Sequence, residues 1–283
     1  MPSGTFGRMG RCSSSVRSHP VKKLIVDYTT RLEFSGPVVD HHFLLRCLPQ
    51  ENSQQQIHSL SFSIEPDAWH AHELDSFGNQ VVVGHLMEPH VSFTWSVHAI
   101  AFVDHEYRKQ MPYKPLYRYP SSLTTPGPTI DALVAEVSSL VRSNRSVQSP
   151  IEVATYAMGV LYERFSYVPG VTTVRTTAEE ALSGGKGVCQ DFAHILIAVC
   201  RGLGIMARYV AGMLIGEGAT HAWIEVYQAG RWWELDPTHN RRVDSDYVRI
   251  AQGRDYNDCM LDIGVFRGDV TQRQTVVARL TEQ

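Results

Sequence analysis

Three residues whose chemistry suits acyl transfer occur in order along the second half of the chain. The first, Cys189, follows a glycine-rich turn and opens a run whose apolar residues recur at helical spacing. The first N–H groups of a helix are unpaired and lie at the positive end of its dipole, so they favour a thiolate over a thiol. Cys189 is therefore predicted to be a nucleophile at the start of a helix.

The two partners of this nucleophile are predicted at neighbouring ends of a β-hairpin. His221 opens one strand and Asp236 closes the next, with the turn at Ala229 and Gly230 between them. Residues that face each other in this hairpin have numbers that sum to about 459, so the two outer ends lie side by side. The carboxylate can then hold the imidazole with its other nitrogen towards the cysteine sulfur.

Each of these residues also has an ordinary structural interpretation, as a buried cysteine, a core histidine and a turn aspartate. Their order, the glycine turn and the adjacent strands favour a thiol site instead. His221 would take the proton from Cys189, the sulfur would attack an amide carbonyl, and the backbone N–H of Cys189 would stabilise the oxyanion. Water would then give hydrolysis and an amine would give cross-linking, and the residues alone do not decide between them.

The segments around these residues resemble the core of the transglutaminase-like superfamily, a group of papain-like thiol enzymes. They read GVCQDFAHILIAVCRGLGIMARYVAGML, THAWIEVY and WWELDPTHN, and the resemblance extends to GRDYND at 253–258 and to a β-rich region before the core. It implies that Cys189, His221 and Asp236 form the catalytic triad. It further implies an amide of a protein or peptide as substrate, with no metal or organic cofactor.

Several residues near these motifs are candidates for supporting roles. Related enzymes use a side chain upstream of the cysteine as the second oxyanion donor, and Tyr167 is the candidate here, with an ordinary packed tyrosine as the alternative. Gln190 follows the nucleophile and is a candidate supporting residue. His239 and Asn240, just after the aspartate, either orient the site or end the hairpin.

Before this region the pattern changes to the alternation of half-buried strands, as in LIVDYTTRLEF and VSFTWSVHAIAFV. Several such strands predict an antiparallel β-sandwich over residues 22–112. A proline-rich linker at 113–128 then leads to the transglutaminase-like, papain-like core at 129–283. The predicted fold class is therefore α+β, and the polar stretch 1–21 is predicted to be a disordered tail.

Composition narrows the possible partners. A net charge of -3 gives no reason to expect nucleic acid or a membrane surface as a partner. No apolar run could span a bilayer, and the amino terminus lacks the apolar core of a secretory signal. Five scattered cysteines without a CxxC pair predict a reduced, cytoplasmic protein. Ten of the thirteen histidines lie within the first 105 residues, but their spacing indicates no third ligand, so most of them are interpreted as polar strand or loop positions.

Amide hydrolysis by a cysteine peptidase or amidase is the preferred function, because the chain shows no obvious calcium loop. Cross-linking of protein glutamines through the same acyl-enzyme is the alternative. A third hypothesis is a binding module in which the thiol site is inert, although such a chain would be expected to have lost a member of the triad.

Overall fold

The computed structural model of the chain describes residues 21–105, 109–144 and 147–283, so all but the last residue of the predicted tail lies outside it. The helices are α1 (Pro128–Ser143), α2 (Pro150–Tyr162), α3 (Ala178–Gly184), α4 (Cys189–Gly202) and α5 (Tyr256–Cys259), with short 3-10 helices at Pro115–Arg118 and Ser122–Thr124. The strands are β1 (Lys22–Leu45), β2 (Gln55–Glu65), β3 (Trp69–Leu74), β4 (Gln80–Leu86), β5 (His90–Val103), β6 (Ser166–Tyr167), β7 (Lys186–Gly187), β8 (Ala207–Leu214), β9 (Gly216–Gly218), β10 (His221–Gln228), β11 (Arg231–Asp236), β12 (Arg241–Arg242), β13 (Tyr247–Gly253), β14 (Asp262–Arg267) and β15 (Gln272–Glu282). Of the helices described, none is both long and apolar enough to cross a bilayer.

The long strand β1 organises the amino-terminal region. Its first half pairs with β5 and β15, and its second half pairs with β4 and β14, all antiparallel. The two sheets therefore share one strand, and aromatic residues pack between them, as where the rings of Phe43 and Phe93 lie 4.8 Å apart. The predicted α+β fold with an antiparallel β region before the core is confirmed.

The last two strands return to the amino-terminal sheets. Strand β15 pairs with β1 from Phe34 opposite Gln272 to Leu24 opposite Glu282, and β14 pairs with the second half of β1. Without β15, one edge of β1 would present unpaired backbone groups. The boundaries at 22–112, 113–128 and 129–283 stay a prediction, but the pairing places residues 262–267 and 272–282 with the β region rather than with the core.

The core is built around α4. Every residue from Asp191 to Arg201 is buried, because this helix contacts α1, α2 and α3 as well as β8 and β10 of a five-stranded sheet ordered β12-β11-β10-β8-β13. The buried guanidinium of Arg201 donates to the carbonyl oxygens of Tyr117, Ala207 and Arg254 and to the hydroxyls of Ser121 and Thr124. Arg201 thereby fixes the segment 113–128 against the end of α4 and the start of β8.

The hairpin of β10 and β11 has the predicted register. Ile224 lies opposite Leu235 and Gln228 opposite Arg231, so paired numbers sum to 459. The two-residue loop has positive φ at both positions, 51° at Ala229 and 79° at Gly230. This is the conformation of a type I′ turn, whose twist matches that of the strands and whose preferred sequence is Asn-Gly.

Replacing Ala229 by asparagine should therefore stabilise the protein. Alanine in the left-handed region costs about 1 kcal/mol, a cost that asparagine largely avoids. We expect the free energy of unfolding in urea to rise by about 0.5–1 kcal/mol. Ala229→Val should lower it, and equal stability of the two variants would contradict the turn described here.

Candidate active site

The structure fixes Cys189 at the first position of α4. The Asp191 carboxylate is buried and accepts hydrogen bonds from the Val188 N–H and the Thr172 hydroxyl, both at 2.7 Å. A Cβ at Gly187 would lie 2.4 Å from this carboxylate, so the close approach requires glycine. Asp191 is thus structural, and the glycine turn lets it tie down the start of the helix that carries the thiol.

His221 and Asp236 meet at the end of the hairpin. The Nε2 atom of His221 lies 2.8 Å from Oδ2 of Asp236, and the carboxylate is fully buried. Cys189 lies beside the same imidazole, and the two residues line one cleft. Because Nε2 is held by the carboxylate, Nδ1 is left for the sulfur. The structure thus brings together the three residues that the sequence proposes for the triad.

The charge states of His221 and Asp236 depend on two opposing effects, hydrogen bonding and burial. Burial opposes the charged imidazole, but its hydrogen bonds with Asp236 and Cys189 prevail and raise the pKa of His221 to about 9. Burial likewise opposes the charge of Asp236, yet its hydrogen bonds hold the pKa of this carboxyl well below its usual range. At neutral pH the pair is therefore imidazolium and carboxylate, which places a positive charge beside the sulfur.

Two further side chains bind the same carboxylate. Oδ2 of Asp236 accepts from the Tyr247 hydroxyl and from Nδ1 of His239, both at 2.7 Å, while Oδ1 accepts from the N–H groups of Thr238 and His239. His239 was recognisable from its place next to Asp236. Tyr247 was missed, because its position depends on the pairing of β13 with β8, for which the sequence gives no local signal.

Replacing Tyr247 by phenylalanine tests this contact. The buried carboxylate would lose a donor, so we expect the free energy of unfolding to fall by about 1.5–3 kcal/mol. Urea unfolding measures this loss. The variant Tyr162→Phe removes an exposed hydroxyl and should leave stability unchanged; equal effects of the two changes would contradict the contact.

Tyr167 lies beside the nucleophile. Its strand β6 runs parallel to β7, with Tyr167 opposite Gly187, and the Val168 N–H donates to the Gly187 carbonyl at 2.8 Å. Tyr167 and Cys189 line one cleft of about 210 Å³ together with residues 213–221 and Ala278. Partial burial and then the neighbouring Cys189 raise the pKa of Tyr167, so its hydroxyl stays a donor. The position suits an oxyanion donor, and that role stays a prediction.

The other two supporting residues lie less directly on the site. The Gln190 side chain is directed to the loop before α3, where its amide lies 3.4 Å from the Val174 carbonyl. Asn240 has a positive φ of 49° and lies in the turn between β11 and β12. It lines a separate cavity of about 630 Å³ with α2 and Arg241. Within the described ranges, no hydrogen bond joins either side chain to Cys189, His221 or Asp236.

His221, Asp236 and His239 are also the groups that could hold a metal ion, since their ligand atoms lie within 4.8 Å of one another. The two nitrogen-to-oxygen distances of 2.7 and 2.8 Å are hydrogen-bond lengths. Two ligands of a tetrahedral zinc ion lie farther apart, at ~3.3 Å. The present distances therefore fit hydrogen bonds, and a bound metal ion would require the three ligand atoms to move apart.

The amino-terminal histidines are partly in the interior. His41 on β1 and His90 on β5 are buried, with Nδ1 of His41 3.1 Å from Nε2 of His90. Aromatic side chains such as Phe34 and Phe93 surround the pair. Each imidazole thus has the other ring, instead of water, as a hydrogen-bond partner. This allows both rings to be buried in an aromatic core.

Comparison with known proteins identifies both parts of the chain. The family model of the transglutaminase-like superfamily matches residues 138–237, which include Cys189, His221 and Asp236. The model of the bacterial transglutaminase-like N-terminal region matches residues 24–101. The chain belongs to the transglutaminase-like superfamily.

Relatives of this transglutaminase-like protein occur in mycobacteria. An uncharacterized protein of Mycobacterium leprae is 31% identical over 223 residues, covering 74% of each chain. Another from Mycobacterium tuberculosis is 31% identical over 264 residues, covering 82% of this chain and 84% of that one. A crystal structure from Cytophaga hutchinsonii, described as a “Putative Cysteine Protease”, matches with a TM-score of 0.74 and 21% identity over 93% of this chain and 91% of that one. This last likeness shows the fold.

Proposed function

We propose that this transglutaminase-like protein is a cysteine peptidase or amidase that hydrolyses amide bonds of proteins or peptides through a thioester. The observation that carries the proposal is the placement of Cys189, at a helix start, in one cleft with the hydrogen-bonded pair of His221 and Asp236. A thiol, a base and a group that orients the base are the parts that nucleophilic acyl transfer needs. The superfamily and the fold support a thiol enzyme in general.

The first half of the reaction forms the thioester. The thiolate of Cys189 attacks the amide carbon and forms a carbon–sulfur bond, and the oxygen of the tetrahedral intermediate receives the N–H of Cys189 and, in this proposal, the hydroxyl of Tyr167. The carbon–nitrogen bond then breaks as the His221 imidazolium gives its proton to the leaving amine. Asp236 keeps the ring oriented throughout.

The second half releases the acid. His221, now neutral, takes a proton from water, the oxygen attacks the thioester, and the carbon–sulfur bond breaks to regenerate the thiolate. Tyr167 and the strand β9 are exposed at the cleft, so water can reach the thioester, and this favours hydrolysis over transfer to an amine. A cytoplasmic location and the absence of nucleic-acid and membrane partners remain predictions from the sequence.

Product analysis tests this function. An unfolded protein of known sequence is incubated with the enzyme and a labelled primary amine, and the products are identified by mass spectrometry. We expect new chain ends or deamidated glutamines without incorporated amine, and no product from Cys189→Ala. Amine incorporation as the main product would establish the acyltransferase alternative, and a reactive Cys189 without any product would favour the binding module.

A further inference from the structure

The short strand β9 connects the two parts of the fold next to the thiol. After β8 the chain leaves the core sheet, and β9 pairs with β15, with Gly218 opposite Ala278 and Gly216 opposite Leu280. It is the last strand of the sheet ordered β2-β5-β1-β15-β9. Within the parts of the chain that the structure describes, no strand pairs with the outer edge of β9.

This strand forms one wall of the cleft that holds the nucleophile. Gly216, Glu217 and Gly218 are all exposed, and they line the cleft together with Cys189 and His221. Strand edges offer backbone N–H and C=O groups, and an extended peptide can add itself to such an edge. The cleft thus combines a reactive sulfur with a bare strand edge.

The glycines of β9 keep this wall bare. A Cβ at Gly216 or Gly218 would meet no atom within 4 Å, so packing against the protein does not require glycine at either position. Gly212 on β8 differs, because a Cβ there would lie 2.2 Å from the Val248 carbonyl. Gly216 and Gly218 have φ of 135° and 157°, a region that favours glycine. They set the path of the backbone and leave the space in front of it open.

We propose that β9 is a docking strand for the substrate, which is an extended segment of polypeptide. Its backbone pairs with the outer edge of β9, and this pairing lays a backbone amide against Cys189. The proposal rests on the proposed function and deepens it: the substrate is a peptide bond in an unfolded segment, rather than a small amide or a glutamine on a folded surface. Recognition through the backbone makes the enzyme tolerant of substrate sequence.

The pairing of the substrate with β9 should repeat at every second substrate residue, and this period can be measured. In an extended chain, successive N–H groups point to opposite sides, so only every second residue of the substrate donates to β9. N-methylation of a donating residue removes one hydrogen bond and should weaken binding roughly 3- to 10-fold, with little effect at the residues between. Binding of fluorescent peptides to the Cys189→Ala variant measures this series without turnover.

A substitution in β9 provides a second test of the docking strand. Gly218→Val should place its side chain in the cleft and lower peptide binding and kcat/KM at least ~10-fold, while iodoacetamide still alkylates Cys189 at the wild-type rate. Gly78→Val is the matched control, since Gly78 also has a positive φ of 82° and open space at its Cβ but lies in the turn between β3 and β4. It should leave peptide binding unchanged.

The outcomes separate the two proposals. A uniform N-methyl series and normal peptide binding by Gly218→Val would overturn the docking strand, and hydrolysis by the wild type would still support the enzyme. An alternating series and weak binding by Gly218→Val would support the docking strand even where the wild type cleaves nothing, in which case only the proposed hydrolysis fails.

Discussion

Replacing Cys189 by alanine should abolish the proposed amide hydrolysis, with an expected loss in kcat of at least ~10⁴-fold. Loss of one member of a unit that acts together costs nearly as much as loss of all members, because water alone must then attack the amide. The side chain is small and partly exposed, so the fold should persist. A circular dichroism spectrum equal to that of the wild type confirms this, and residual hydrolysis by the pure variant would assign the activity to another residue.

Alkylation shows whether His221 activates the sulfur. Cys47, Cys200 and Cys259 are free but buried, and burial raises the pKa of the Cys200 thiol to about 12. Cys12 lies outside the described residues, so the Cys12→Ser variant serves as the parent protein for the alkylation experiments. We expect iodoacetamide to label Cys189 alone in the folded protein.

The imidazolium sets the pH range of this reactivity. His221 stays protonated up to about pH 9, so a positive charge lies beside the Cys189 sulfur across the neutral range. In the His221→Ala variant the sulfur becomes an ordinary thiol, so alkylation at pH 7 should slow by roughly 10- to 30-fold. Hydrolysis should decline above about pH 9, where the imidazole lacks the proton that the leaving amine needs. Equal alkylation rates with and without His221 would remove the main support for the enzyme.

The parts of the site that are close in sequence could be predicted from it. Helical spacing after the glycine turn places Cys189 at the start of α4, and the two-residue turn fixes the register of β10 and β11. Both follow from local periodicity, which the sequence carries directly. For this reason the amino-acid sequence alone is enough to pair His221 with Asp236.

The parts that depend on distant pairing could not be predicted. Tyr247 reaches Asp236 only because β13 joins β8, and β15 pairs with β1 across almost the whole chain. Strand β9 has two glycines in three residues, so it lacks the alternating apolar pattern that marks a strand. The direction of Gln190 depends on a loop that packs against it. In each case tertiary contacts, rather than local preference, decide the position.

Replacing Asp236 by asparagine should lower kcat by about 10⁴-fold, with the thiol and imidazole still present. The amide can donate to His221 as well as accept from it, so the ring loses its fixed orientation and the charge that stabilises the imidazolium. Asp244→Asn, a change at an exposed carboxylate that pairs with Arg241, is the matched control and should keep full activity. Similar activity of the two variants would show that Asp236 has no part in the reaction.

The same variant should change how stability depends on pH. The pKa of His221 rises from an ordinary 6.5 to about 9 on folding, so its contribution is fully present below pH 6.5 and is lost as the pH rises through about 9. The pKa of Asp236 is lowered on folding, so its contribution is present above about pH 3.8 and is lost as the pH falls. Both contributions depend on the contact between the two side chains.

We therefore expect Asp236→Asn to lower the free energy of unfolding at pH 6 by about 3 kcal/mol and to flatten its decline between pH 6.5 and 9. Urea unfolding across this range measures both effects, and an unchanged decline would mean that another group titrates there.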